Sequence, residues 1–132
     1  MINEIENSPA LINFTVNKLI VMHELSKAEK KVARAAIDKG LNAEFKEGLE
    51  NFEAIITAWR KGKFTSNKEA YHKLFKAVED KDSAISSRYD GLTGGRYLTT
   101  VMSIFMNGYI DEKDIEGFRE ETKEIIMSWA KR

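Results

Sequence analysis

The chain has 132 residues, which suits one domain with its own core and is short for two. Apolar residues make up 42% and charged residues 32%, a balance that excludes intrinsic disorder. The 21 basic and 21 acidic side chains cancel, which excludes a general field attracting nucleic acid or an anionic membrane, and the absence of cysteine excludes disulfides and thiolate chemistry. We therefore expect a single folded domain over residues 1–132.

The residue pattern is helical along the whole chain. Pro9 is the only proline, so long helices meet few interruptions. The apolar run Leu19–Met22 is far shorter than the roughly 20 residues that span a bilayer. Glu4 and Glu6 occupy positions where a secretion signal carries positive charge. The sequence thus predicts an all-α, cytoplasmic protein with no membrane partner.

The first predicted helix begins at Ser8, a cap residue followed by proline, and runs to about Leu25. It is apolar around most of its circumference, which is typical of a helix surrounded by others, so we expect it at the centre of the fold. Ser26 and Glu29 form a capping box that opens a second helix, which is expected to end before Gly40. The residues predicted to face inward on this second helix are Ala28, Val32, Ala35 and Ala36.

A third helix is predicted from about Asn42 to Lys61, where Gly62 stops it. Its apolar residues recur at intervals of four, three, four and three and form a single stripe. They are Phe45, Leu49, Phe52, Ile56 and Trp59. Ser66 and Glu69 form a second capping box, which opens a fourth helix. Its predicted inward residues are Tyr71, Leu74, Phe75 and Val78.

The last third of the chain predicts two or three more helices. Asp82–Tyr89 is expected to be a short helix, and a glycine-rich loop follows over residues 91–95. A fifth helix closes at Gly108, and the last one starts near Asp111. The apolar residues expected inside are Tyr97, Val101, Ile104 and Phe105 on the fifth helix and Ile115, Phe118, Ile125 and Trp129 on the last. Together the elements predict a compact bundle of five to six helices around a buried first helix.

A faint internal repeat links the two halves of the chain. Glu47-Gly48-Leu49 is followed by a segment that ends at Trp59, and Glu116-Gly117-Phe118 is followed by a similar segment that ends at Trp129. The distance from the glycine to the tryptophan is one residue longer in the second segment. The hypothesis is a duplicated three-helix unit in which the third and sixth helices are equivalent. The alternative is that any two amphipathic helices resemble one another.

Several familiar site motifs are present only in part. Glu69-x-x-His72 has the spacing of a carboxylate-bridged di-iron site but lacks a second such pair, and the segment from His23 lacks the second histidine of a zincin. The segment around Gly108 resembles half a calcium loop, but Phe105 stands where an oxygen ligand is needed. No serine–histidine pair forms a recognisable nucleophile motif. We therefore expect no metal and no cofactor, although acids brought together by the fold alone would leave no sequence signature.

The most informative stretch for function is a glycine-rich corner before the fifth helix. The candidate residues for binding an anion or a partner are Arg88, Tyr89, Asp90, Gly94, Gly95 and Arg96. Backbone N–H groups at a helix start attract anions, and the two arginines can add forked contacts to phosphate or carboxylate. The alternative is a structural corner in which Asp90-Gly91 makes a turn, Thr93 caps the next helix, and Asp90 pairs with an arginine.

Two charged ridges complete the candidate surfaces. A possible basic contact ridge on the second helix consists of Lys27, Lys30, Lys31 and Arg34. An acidic ridge on the last helix consists of Glu116, Glu120 and Glu124. The basic ridge can touch phosphates, although it carries no aromatic residue for stacking on bases. Both ridges also fit ordinary solvated faces, or pairing with each other within one molecule or across a dimer.

The sequence favours a small protein-interaction or regulatory accessory subunit without catalytic activity, whose partner is another protein and which can form homo-oligomers. One alternative is a nucleic-acid-binding accessory protein that uses the basic ridge, with affinity falling steeply with salt. A second is an enzyme or anion-binding protein that uses the corner between Arg88 and Arg96, with carboxylates of perturbed pKa nearby.

Overall fold

The computed structural model describes residues 23–130. Within this range the chain forms four α-helices and two short 3₁₀ helices, and no strand. The α-helices are α1 (Lys27–Arg60), α2 (Asn67–Tyr89), α3 (Tyr97–Met106) and α4 (Glu120–Ala130), and the 3₁₀ helices are Gly94–Arg96 and Glu112–Ile115. The predicted all-α class is confirmed. None of these helices combines the length and the apolar character needed to cross a membrane.

The described residues belong to two units. Among the described residues, the first unit comprises residues 23–38 and 93–130. The hairpin unit comprises residues 39–92. Helix α1 contributes residues 27–38 to the first unit and residues 39–60 to the hairpin unit. A single domain over residues 1–132 remains a prediction.

The predicted second and third helices are one continuous helix of 34 residues, α1. The prediction that the chain breaks at Gly40 is wrong, because Gly40 lies inside this helix and is buried. A glycine within a helix costs about 1 kcal/mol relative to alanine, which is too little to force a break when the residues around it are packed. The predicted stop at Gly62 is confirmed. Gly62 has a φ of +72°, and the N–H groups of Gly62 and Lys63 bind the carbonyls of Trp59 and Ala58 in a Schellman motif.

Helix α2 extends from the predicted fourth helix through the predicted short helix without interruption. Ser66 is its N-cap, and the Ser66 hydroxyl accepts the Glu69 N–H at 3.1 Å. The Glu69 carboxylate accepts from the backbone and hydroxyl of Thr65. The predicted start of this helix is therefore confirmed, with Thr65 as the partner of the glutamate side chain.

Most of the described apolar core lies in the first unit. Its buried apolar side chains are Leu25, Ala33, Ala36, Ile37, Leu98, Val101, Met102, Ile104, Ile110, Ile115, Phe118 and Ile126. Of the four residues predicted to face inward at the start of α1, Ala36 is buried as predicted, but Ala28 and Ala35 are exposed and Val32 is half-buried. The buried face is rotated by one residue and includes Glu29, whose hydrogen bonds to the last third of the chain hold that side of the helix inward.

The last predicted helix is split in two. Asp111 and Asp114 form a reciprocal cap around the 3₁₀ helix Glu112–Ile115, and α4 begins only at Glu120. Gly108 ends α3 with a φ of +79°, as the glycine pattern predicted. Ile115 and Phe118 are buried as expected, but Ile126 is the fully buried residue of α4, while Ile125 and Trp129 are half-buried.

Two sequence hypotheses about the arrangement are not confirmed. The predicted first helix falls almost wholly outside the described residues, and His23 to Ser26 are not helical. The five-to-six-helix bundle around it therefore remains a prediction. For the duplicated unit, the proposed equivalents are part of the 34-residue α1 and the 11-residue α4, which differ in length and in how they begin.

A tight contact in the first unit gives a direct test of its packing. Gly117→Ala is expected to lower the free energy of unfolding by about 2 kcal/mol, because the new Cβ would lie 2.8 Å from Val32 Cγ2. Adding Val32→Ala removes the opposing methyl groups and should recover part of the loss. Urea unfolding followed by circular dichroism compares the variants. An unchanged midpoint for Gly117→Ala would contradict this packing.

Candidate functional site

The glycine-rich corner predicted as an anion or partner site is divided between the two units. Arg88 and Tyr89 lie in the last turn of α2, and the Asp90 N–H donates to the Ser86 carbonyl at 2.9 Å and so caps that helix. The residues on the other side, in the first unit, are Gly94, Gly95 and Arg96. Thr93 occupies the predicted cap position, but its side chain makes no capping hydrogen bond. The half of the corner on α2 therefore has a local structural role, and the predicted cap at Thr93 is not made.

Arg88 forms an ion pair inside the hairpin unit. Its Nη1 donates to Glu44 Oε1, and the side chain of Glu44 is only 1% exposed. The Arg88 guanidinium neutralises the negative charge of the Glu44 carboxylate, whose burial without a positive partner would be strongly unfavourable. Burial raises the pKa of Tyr89, and the neighbouring Glu44 carboxylate raises it further, so this phenol stays protonated near neutral pH. Arg88 therefore stabilises the hairpin unit, whereas the hydroxyl of Tyr89 and Oε2 of Glu44 are buried without a hydrogen-bond partner among the described residues.

The basic ridge lies on the part of α1 that belongs to the first unit. Lys27, Lys31 and Arg34 are exposed, whereas Lys30 is half-buried. The Lys30 side chain lies over Gly94, where an added Cβ would be 3.4 Å from Lys30 Nζ. Glycine at this position therefore makes room for the lysine stem. The three exposed cations are the part of the ridge that a phosphate-bearing partner could reach.

A buried hydrogen-bond network in the first unit centres on Glu29, which is 1% exposed. Its carboxylate accepts the Ser26 N–H at 3.1 Å, the Arg119 N–H at 3.1 Å, the Arg119 Nε–H at 2.8 Å and the Thr122 hydroxyl at 2.6 Å. The Ser26 hydroxyl accepts the Glu29 N–H at 3.1 Å, so the predicted capping box is confirmed. The same glutamate thus caps α1 and binds the start of α4.

These donors fix the charge of Glu29. Burial acts to raise its pKa, but the hydrogen bonds from Thr122, Ser26 and Arg119 outweigh burial and lower the pKa of Glu29 from 4.5 to about 2. Since the Thr122 hydroxyl gives its proton to this carboxylate, His23 Nε2, 2.7 Å from Thr122 Oγ1, must be the donor in that contact. Thr122 is fully buried and its proton is engaged, so the arrangement suits structural support and not nucleophilic attack.

The acidic ridge borders a shallow cleft of about 300 Å³ in the first unit. Its charged lining comprises Glu112, Glu116, Glu120, Lys123 and Glu124. Lys123 Nζ lies 2.8 Å from Glu120 Oε1. Nowhere in the described part of the chain are three or more histidine, aspartate or glutamate side chains grouped so that they could hold a metal ion.

The two helices of the hairpin unit contact each other through small residues and ion pairs. Lys81 crosses α1 at Gly48, where an added Cβ would lie 3.0 Å from Lys81 Cγ, and its Nζ is 2.8 Å from Glu47 Oε1. Near the connecting loop, Trp59 Nε1 donates to Asn67 Oδ1 at 2.9 Å. Residues late in α1 therefore pair with residues early in α2, and the helices are antiparallel.

This contact leaves the apolar stripes of both helices on the outside. We call this surface the hairpin face, and it consists of Phe45, Leu49, Ile56, Trp59, Tyr71, Phe75 and Val78. Its seven side chains are between 39% and 67% exposed. The prediction that Tyr71, Phe75 and Val78 face inward is wrong, because these side chains are 42% to 67% exposed. The contacts between the two helices are instead made at Gly48 and by charged pairs.

The hairpin unit has almost no core of its own. Among residues 39–92, all of which are described, Ala70 and Ile85 are the only buried apolar side chains. Most helical stability in proteins comes from packing an apolar face, and exposed apolar patches of this size usually mark interaction sites. The hairpin face is therefore the most unusual surface in the described part of the chain.

A cleft of about 390 Å³ opens on the hairpin face between α1 and α2. It is lined by Ile55, Ile56, Trp59, Asn67, Ala70, Tyr71 and Leu74. Because both helices contribute to it, their apolar stripes lie on the same side of the hairpin. The cleft has the size and apolar lining that accept a large side chain from a protein partner.

The candidate surfaces can be ranked by what their residues already do. The corner arginine Arg88 pairs with Glu44, and Glu29 holds two elements of the first unit together. On the hairpin face, Trp59 joins the two helices through its hydrogen bond to Asn67, and all seven side chains remain at least 39% exposed. Their spacing in the sequence identified the two stripes, although on α2 it was interpreted as an inward face. No family model, curated protein or solved structure matches this chain.

Proposed function

We propose that this chain is a protein-interaction or accessory protein without catalytic activity, and that it binds proteins through the hairpin face. The observation that carries the proposal is the exposure of seven large apolar side chains on a unit that buries only Ala70 and Ile85. Covering such a surface releases water from apolar area, which is the main favourable term in protein association. The cleft supplies a pocket for an anchoring side chain of the partner.

Electrostatics support a binding role over a catalytic one. Among the described residues, Glu29 has a clearly lowered pKa and Tyr89 a clearly raised one. Both shifts move the pKa of the group further from 7. A general acid or base works best with a pKa near the working pH. Glu29 is also closed off from solvent.

The test is affinity capture from extract, with and without nuclease treatment, using three full-length chains. They are the wild type, a face variant (Leu49→Glu with Phe75→Glu) and a matched control (Ala54→Glu with Ser83→Glu). The control adds the same charges to exposed positions on the same two helices, outside the apolar stripes. We expect proteins that bind the wild type and the control to be lost from the face variant.

Capture of the same proteins by all three chains would contradict the proposal. Binding that disappears with nuclease, and that is weakened by Lys27→Glu with Lys31→Glu, would instead favour the nucleic-acid alternative. Circular dichroism of each chain before capture ensures that a folded protein is compared. Since the substituted side chains are exposed, their helical content should be equal.

A further inference from the structure

We propose that the hairpin face binds the hairpin face of a second copy of this chain, so that the two hairpins form an antiparallel four-helix bundle. The inference rests on the proposed function, because it names the occupant of the same surface. It follows from three properties of the face: its helical spacing, its area and the charges beside it.

The spacing is that of a helix-packing seam. The stripe on α1 advances by four, three, four and three residues, an average of 3.5, which is the repeat that keeps a seam facing another helix. On α2, Tyr71, Phe75 and Val78 advance by four and three. Both helices of the face therefore require helical partners with the same repeat, and a second copy supplies two of them.

The two stripes also match each other in register. When α1 lies antiparallel to α2 of the second copy, Leu49 lies opposite Val78 and Phe52 lies opposite Phe75. Each layer then brings two apolar side chains together, and the pairing is repeated by the two-fold symmetry of a dimer. Small antiparallel bundles are built in this way from two helical hairpins.

The area is sufficient for a stable dimer. With roughly 100 Å² still exposed on each large side chain, the seven residues of the face offer about 700 Å² per copy. Stable protein interfaces bury about 800 Å² on each partner. The half-buried Phe52 and Leu74, at the edge of the same surface, add to that total.

The flanking charges favour an antiparallel copy. Lys46 and Glu53 follow one side of the α1 stripe, and His72 and Glu79 follow the corresponding side of the α2 stripe. In the register given above, Lys46 is two positions from the level of Glu79 and Glu53 is two positions from the level of His72, so the members of each pair are about 3 Å apart along the helix axis. Exposed pairs of this kind contribute little to affinity, but they select the orientation of the partner.

Sedimentation equilibrium of the purified full-length chain tests the inference. The wild type should sediment with twice the 15.1 kDa mass of one chain at micromolar concentration. The face variant, Leu49→Glu with Phe75→Glu, buries two carboxylates per copy in the seam, which should raise the dimer Kd at least about 100-fold. The matched control, Ala54→Glu with Ser83→Glu, should dimerise like the wild type.

Two results would overturn the inference. One is a single-chain mass for the wild type at every concentration, and the other is a dimer that the face variant does not weaken. If the chain is monomeric but captures another protein in a face-dependent way, the self-association fails and the proposed function stands. If neither self-association nor capture depends on the face, both fail.

Discussion

Replacing Glu29 with glutamine is expected to lower the free energy of unfolding by about 3 kcal/mol at neutral pH. The carboxylate accepts four hydrogen bonds, from Ser26, Arg119 twice, and Thr122. A glutamine side chain offers a single acceptor oxygen, and its amide protons would face other donors. Chemical unfolding followed by circular dichroism measures the loss.

The same group predicts an acid transition. Because the pKa of Glu29 is lowered from 4.5 to about 2 in the folded chain, its stabilisation is fully present above pH 4.5 and is lost as the pH falls toward 2. A shift of this size corresponds to about 3 kcal/mol. The Glu29→Gln variant should therefore lose less stability than the wild type across this interval.

A nearby exposed glutamate provides the control for both measurements. Glu121 lies in the first turn of α4 and is exposed, so Glu121→Gln should change stability by less than about 0.5 kcal/mol. Equal effects of Glu29→Gln and Glu121→Gln, or parallel acid transitions for wild type and Glu29→Gln, would contradict the buried network.

Arg88→Ala is expected to destabilise the chain by about 3 kcal/mol or more, because it leaves the Glu44 carboxylate buried without its ion pair. Glu44→Ala should cost less, since Arg88 retains access to solvent with 23% of its side chain exposed. Arg96→Ala should change stability by less than about 1 kcal/mol because Arg96 is exposed. Thermal and urea unfolding of the three variants provide the comparison.

These values separate the two interpretations of the glycine-rich corner. A structural corner predicts that Arg88→Ala lowers stability and leaves binding of any partner by the folded chain unchanged. A binding corner predicts the reverse. Arg88→Ala and Arg96→Ala would then both weaken the binding of a partner, and both would change the stability of the chain only slightly. The Arg88–Glu44 pair favours the first outcome.

Local signals in the sequence predicted the helix ends well. Ser26 with Glu29, Ser66, Gly62 and Gly108 each act as caps or stops, because their chemistry concerns residues three or four positions away. Gly40 shows the limit of this reasoning. A glycine permits a helix to end but does not require it, and the packing around it decides.

The direction of the helix faces could not be predicted in the same way. The spacing of Leu49 and its neighbours identified a stripe correctly, but the sequence does not say whether a stripe faces its own hairpin partner or another chain. Gly48 and Lys81 determine that choice by bringing the other sides of the helices together. The contacts of Glu29 with Arg119 and Thr122 were equally hidden, since more than 80 residues separate the partners.

Thiol reactivity at position 49 tests the central claim most directly, because the natural chain has no cysteine to interfere. Leu49→Cys places a thiol on the hairpin face, and Glu50→Cys places one on the adjacent exposed position outside the stripe. We expect the reaction rate of Leu49→Cys with a maleimide to fall as protein concentration rises, while that of Glu50→Cys stays constant. A thiol at position 49 that reacts as fast as the thiol at position 50 at all concentrations would contradict a hairpin face covered by a second copy.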